Sequence, residues 1–280
     1  MKLSSLFIEE LKVPFSDKEQ ILKGKFIQEK VSAGGQGNTK RHTKLNDSDE
    51  VEATYYEKKL DDALYYIREI NAYSILQMVN KAGRAYGFRT DVVPLPHLVK
   101  WKYSDDKVIF TSAANAEAQD LSLKRAEKLF DTLVEKTLFG KVLIGDGDLT
   151  HTPNFYKAKG KKTFYVFDFG YAFNAEHGDR IYKLLERKIK EIKKQDNESI
   201  KKAKMNKLAD YLNFWEMFLE HNKSYMSDKI WANADQLKQN TAFDDSQIDK
   251  ISETIDTSLK FNIKQMDFYI KKYIKELNRL

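Results

Sequence analysis

Ile144-Gly145-Asp146-Gly147-Asp148-Leu149-Thr150-His151-Thr152-Pro153-Asn154 is followed closely by Thr163-Phe164-Tyr165-Val166-Phe167-Asp168-Phe169-Gly170. The first stretch reads as a loop, broken by glycines and a proline. The second is a short apolar run that stops on an Asp. Between them, Phe155-Tyr156-Lys157 and residues 163–167 flank Lys159-Gly160-Lys161, which is the pattern of a β-hairpin with a tight turn. Two loops joined by one hairpin therefore carry Asp146, Asp148, Asn154 and Asp168. Their side-chain oxygens are the ligands a hard divalent cation takes. A further Asp beside such a cation is placed to orient an acceptor hydroxyl and take its proton. The arrangement suits a divalent metal holding a triphosphate.

Composition sets the frame for this reading. The chain has 280 residues, enough for one large domain or two small ones with a real core. Hydrophobic residues make up 41% and aromatics 12%, which excludes global disorder. The absence of Cys excludes disulfides, thiol catalysis and cysteine-ligated zinc. Glu9-Glu10 interrupts the first apolar run, making it a poor secretory signal. No stretch approaches the 18 apolar residues of a membrane span. The expected address is therefore the cytoplasm, or a host cytosol reached by a secreted effector that lacks a cleaved signal. A net charge of +6 permits an anionic partner without requiring one.

Working outward, residues 1–24 read as a short amphipathic lead and residues 25–60 as β-structure. Within the latter, Gly34, Gly35 and Gly37 mark a flexible loop, Asn46-Asp47-Ser48-Asp49 a turn, and Val51, Ala53 and Tyr55 alternate toward Lys58-Lys59. A helix is expected from about Asp61, with Ala63, Ile67, Ile70, Ile75 and Met78 on its apolar face and Gly83 and Gly87 closing it. Pro94 and Pro96 break the chain, and a hairpin over 102–111 turns at Ser104-Asp105-Asp106. Residues 113–120 read as a connector. Ser122 caps an expected helix that Phe139-Gly140 ends. From Gly178 onward three apolar periodicities predict helices.

This order, with the two loop motifs, resembles the bilobal protein-kinase-like fold in its atypical branches: HipA-type bacterial kinases, phosphoinositide-kinase-like enzymes and divergent bacterial effector kinases. The resemblance covers about residues 25–175 and rests on 144–154 and 167–170, with support from Arg68-Glu69-Ile70-Asn71-Ala72 and the glycine-rich loop. It implies an α+β protein with a β-rich N-lobe holding one main helix (1–112) and a mainly helical C-lobe (113–280). That C-lobe would contain the catalytic loop and a C-terminal helical extension.

The resemblance also implies roles. Asp168 and Asn154 would bind the metal, Mg²⁺ or Mn²⁺, that bridges the ATP phosphates. Asp148 would be the catalytic Asp, with Asp146 as its competitor. Glu69 would pair with a strand lysine on the α- and β-phosphates. Lys59 is the first candidate for that lysine, with Lys58, Lys30 and Lys40 as alternatives. Gly34, Gly35 and Gly37 would cover the phosphates with backbone N–H groups. Two departures stand out. Asp148 and Asn154 are six residues apart where the family has five, and Tyr171-Ala172-Phe173-Asn174 runs quickly into helix without an activation segment.

The implied function is an ATP- and metal-dependent phosphotransferase acting on protein Ser/Thr. The alternatives are a lipid, inositol or small-molecule kinase or a nucleotidyl transferase on the same fold, or an inactive pseudokinase adaptor. Residues 180–207 add a separate signal, eleven Lys/Arg against four Asp/Glu. Within them Lys183, Arg187, Lys190 and Lys194 share one helical face. As an anion site that face would take an inositol polyphosphate or a phosphoinositide; as a plain solvated face it would take nothing. Few aromatics interleave with the lysines, so the signal for nucleic acid is poor.

Overall fold

The computed structural model of the chain describes residues 15–16, 22–31, 39–59, 62–86, 96–99, 108–113, 118–120, 138–146, 155–158, 164–166, 169–173 and 178–279. The protein is α+β. Its first sheet has six strands: β1 (Phe15–Ser16), β2 (Lys25–Val31), β3 (Thr39–Leu45), β4 (Val51–Lys59), β5 (Pro96–Val99) and β6 (Val108–Ala113), in the spatial order β1-β5-β6-β4-β3-β2. Only the β1–β5 pair is parallel. The β2–β3 register pairs Val31 with Thr39, so Gly34, Gly35 and Gly37 fall between the paired ends of that hairpin. At the next turn Asn46 Oδ1 accepts from the N–H groups of Ser48 and Glu50, both at 2.9 Å, while Asp49 takes φ +62°. Asx turns of this kind explain why a short Asn/Asp/Ser run closes a hairpin.

Helix α1 (Ala63–Ala85) crosses from β4 to β5. Asp62 caps it by accepting from the Leu64 N–H at 2.8 Å. The helix is buried nearly all round, including its polar residues Glu69, Asn71, Ser74 and Asn80. Surrounding helices account for that burial. In the second half, α3 (Gly178–Lys193), α4 (Glu198–Asn240) and α5 (Asp245–Leu277) pack around Trp215, Phe218, Ile230, Ile255, Leu259 and Tyr273. Asn233 of α4 donates to Asn71 Oδ1 (2.9 Å) and Ser74 Oγ (3.1 Å), tying α1 to the helical half through buried polar groups. Among the described residues no helix is long and apolar enough to cross a membrane.

A second sheet of three antiparallel strands, β7 (Ala118–Asp120), β8 (Phe155–Ala158) and β9 (Phe164–Val166), lies in the order β7-β8-β9. The β8–β9 pair is the hairpin expected between the two motif loops. β7 falls in the stretch read as a connector; pairing with β8 makes it a strand, an effect of tertiary contact that its small polar residues do not signal. Pro96 starts β5, where a missing N–H is tolerated, and β5 pairs antiparallel with β6; residues 100–107 of the hairpin expected over 102–111, with its turn at 104–106, lie outside the described residues.

Gly140 does not end a helix. It lies inside α2 (Leu138–Leu143), which closely approaches α1: a Cβ at Gly140 would come within 2.9 Å of Leu76 Cδ2. The helix expected from Ser122 lies outside the described residues over 122–137.

Candidate functional site

α2 ends in a Schellman motif. Gly145, at φ +56°, donates to the Val142 carbonyl (3.0 Å), and the Asp146 N–H donates to the Lys141 carbonyl (2.9 Å). In this motif the side chains at the positions of Lys141 and Asp146 meet, usually as an apolar pair. Here they form an ion pair, Lys141 Nζ to Asp146 Oδ2 at 2.9 Å, with both side chains at most 1% exposed. Asn262 of α5 donates to the Leu143 carbonyl at 3.2 Å and anchors the same helix end. The start of the 144–154 loop is therefore fixed on three sides.

The second loop meets the first by a backbone bond. In the turn after Asp168, the Ala172 N–H donates to the Phe169 carbonyl (2.9 Å) and the Phe173 N–H donates to the Ile144 carbonyl (2.5 Å). Phe173 holds φ +62°, a left-handed conformation that a non-glycine residue adopts only when its surroundings demand it. The bond to Ile144 supplies part of that demand.

This turn lies against one stripe of α1. Phe169 is fully buried and meets Tyr73 edge-on, with centroids 4.9 Å apart and planes at 79°. Tyr171 meets Tyr65 at 5.5 Å and 70°. A Cβ on Gly170 would sit 3.3 Å from Tyr65 Cδ1, so this position is closely packed against the helix. Tyr65, Glu69 and Tyr73 are spaced four residues apart and share a helix face. Glu69 thus stands on the stripe that covers the turn, 1% exposed. A carboxylate that deep requires a cation or hydrogen-bond donors.

Of the residues singled out in the sequence, the structure brings Glu69, Asp146 and the residues just after Asp168 into one region. Lys59 is the last residue of β4, paired in register with Val108 of β6. Asp148, Asn154, Asp168, Gly34, Gly35 and Gly37 lie outside the described residues. Among the described residues there is no cluster of three or more His, Cys, Asp or Glu able to hold a metal ion. Sequence reasoning missed Tyr65, Tyr73 and Lys141. The two tyrosines were legible as the i−4 and i+4 neighbours of Glu69. Lys141 had no signal, since a lysine in Leu138-Phe139-Gly140-Lys141-Val142-Leu143 gives no hint that it is buried.

Lys183, Arg187, Lys190 and Lys194 form a separate feature. Tyr182, Leu185, Ile189 and Ile192 turn into the core, leaving the four basic residues on the opposite, solvent side of α3 and its end. No family model matches the chain, and no curated protein matches its sequence.

Proposed function

We propose that the protein is an ATP- and divalent-metal-dependent phosphotransferase of atypical two-lobed kinase type, transferring the γ-phosphoryl group to protein Ser/Thr hydroxyls. One observation carries this reading: the α1 stripe of Tyr65, Glu69 and Tyr73 covers the turn beginning at Phe169. The same turn is bonded to the other motif loop through Ile144 and Phe173. A helix carboxylate, the residue after Asp168 and the loop leading to Asp148 are thereby neighbours, as a metal–triphosphate site requires.

In this reading Lys59, on the strand beside the β2–β3 glycine hairpin, holds the phosphates with Glu69 as its partner, and Gly34, Gly35 and Gly37 bring backbone N–H groups over them. Asp168 and Asn154 hold Mg²⁺ or Mn²⁺. Their carboxylate and carboxamide oxygens fit a hard cation, which when bound neutralises charge on the phosphates. Asp148 orients the acceptor hydroxyl. The acceptor oxygen bonds to the γ-phosphorus as the bond to the bridging oxygen breaks. ADP leaves, and the hydroxyl proton passes to Asp148. Asp146 is set aside as the base because its carboxylate is buried in an ion pair with Lys141. Its role is to fix the loop.

The test uses ATP labelled at either phosphate, with Mg²⁺ or Mn²⁺ and a mixed protein acceptor. Transfer of γ-label is the expected result. Transfer of α-label would instead make the protein a nucleotidyl transferase, and transfer of neither label, with no ATP binding, would leave an adaptor.

A further inference from the structure

The elbow between α3 and α4 gathers much of the chain's positive charge. Residues 190–207 hold seven lysines against three acidic residues, a net +4 in a chain whose total is +6. The elbow is also open to solvent. α5 ends at Leu277, beside the end of α3, where Lys193 pairs with Glu276 at 2.7 Å. α4 begins ahead of that point, and its residues 198–207 are exposed or half-exposed before Leu208 enters the core. The corner is well fixed. The Gln195 N–H donates to the Ile192 carbonyl (3.1 Å), Asn197 accepts from the Ile200 N–H (3.1 Å), and Lys204 donates to Gln195 Oε1 (3.4 Å). Ile200, 45% exposed, is the large apolar side chain at the tip. The row of Lys183, Arg187, Lys190 and Lys194 continues the charge along the outside of α3.

The shape of this surface selects among anionic partners. Residues 190–207 are exposed or half-exposed apart from Ile192, so their lysines stand on open surface. The groove of about 730 Å³ found among the described residues lies farther along, between α4 and α5, and carries both signs through Glu216, Glu220, Lys260 and Lys264. Residues 183–210 contain no aromatic residue, so nucleic-acid bases have nothing to stack on. A plane of acidic headgroups fits. Attraction to it adds up over separate lysines, and an exposed aliphatic side chain enters the interface.

We propose that the α3–α4 elbow docks the protein on an anionic membrane surface, with its lysines over acidic headgroups and Ile200 in the interface. α3 spans about 24 Å at 1.5 Å per residue, which keeps the docked tip clear of the turn at 169–173.

The experiment is co-sedimentation of the full chain with phosphatidylcholine vesicles, with and without replacement of a third of the lipid by phosphatidylserine. Binding is expected only with phosphatidylserine, weakening steeply as salt is raised. The exposed triple variant Lys190→Gln, Lys194→Gln and Lys202→Gln should lower the partition coefficient about a hundredfold, at roughly fivefold per lysine. Ile200→Ser should lower it severalfold, with circular dichroism unchanged in both variants. The proposal is overturned if the wild-type chain stays in the supernatant with phosphatidylserine, or if the triple variant binds as well as wild type. Release of the bound chain by micromolar inositol hexakisphosphate or duplex DNA at constant ionic strength would also overturn it.

Discussion

At Gly145 the chain takes a positive φ, and the side chains flanking that turn, Lys141 and Asp146, are both buried. An Ala at Gly145 is expected to cost about 1–2 kcal/mol from the left-handed backbone alone. The ion pair makes a sharper prediction. Removing one partner leaves a buried charge, so Asp146→Ala should lower stability by about 3–5 kcal/mol in urea unfolding. Replacing both, as Lys141→Met with Asp146→Leu, should recover much of that loss, because two apolar side chains satisfy the same contact. A double variant no more stable than the single one would show that the charges themselves are needed. The sequence reading took Asp148 as the catalytic Asp with Asp146 as its competitor, because Gly145-Asp146-Gly147-Asp148 itself holds no signal of which is buried. The structure gives Asp146 a buried place in an ion pair with Lys141, set where α2 and α5 meet.

α1 was legible as a helix and its start, expected at about Asp61, falls two residues later at Ala63, because Asp62 caps it and its apolar periodicity is strong. Of the two glycines expected to close it, Gly83 lies inside the helix, which runs to Ala85, and Gly87 lies outside the described residues. Its surroundings were less legible. Apolar spacing reveals one buried face, whereas Glu69, Asn71 and Ser74 are buried on others by α4 and by the turn at 169–171. β7 was hidden for a related reason, since its partner β8 lies some 35 residues away in sequence. Two outcomes are expected at this scale. Asn233→Ala removes both donors that tie α4 to α1. It should cost about 1–3 kcal/mol and speed amide exchange in α1 more than in α5. Tyr73→Ala opens the pocket that holds Phe169. It should cost about 3–5 kcal/mol and weaken nucleotide binding, whereas Tyr73→Phe keeps the ring contact and should leave binding close to wild type.

Across the whole molecule, α1 follows four strands of the six-stranded sheet in the chain, is tied to the helical half through Asn71, and packs Tyr73 on Phe169. The alternation of strand and helix, the hairpin between the motif loops and the three C-terminal helices were legible because their periodicities are local. The packing of α1 over the post-Asp168 turn was not, because it depends on contacts spanning about a hundred residues of sequence. The account rests on Asp168 and Asp148 acting in one site beneath that helix. Its most direct test is γ-phosphoryl transfer by wild type, Asp148→Asn and Asp168→Ala at matched folding, with Mg²⁺ or Mn²⁺ present or chelated. The account predicts metal-dependent transfer by wild type, a drop of about 10²–10⁴-fold in Asp148→Asn, and loss of metal dependence together with activity in Asp168→Ala. Undiminished transfer by Asp168→Ala would contradict it.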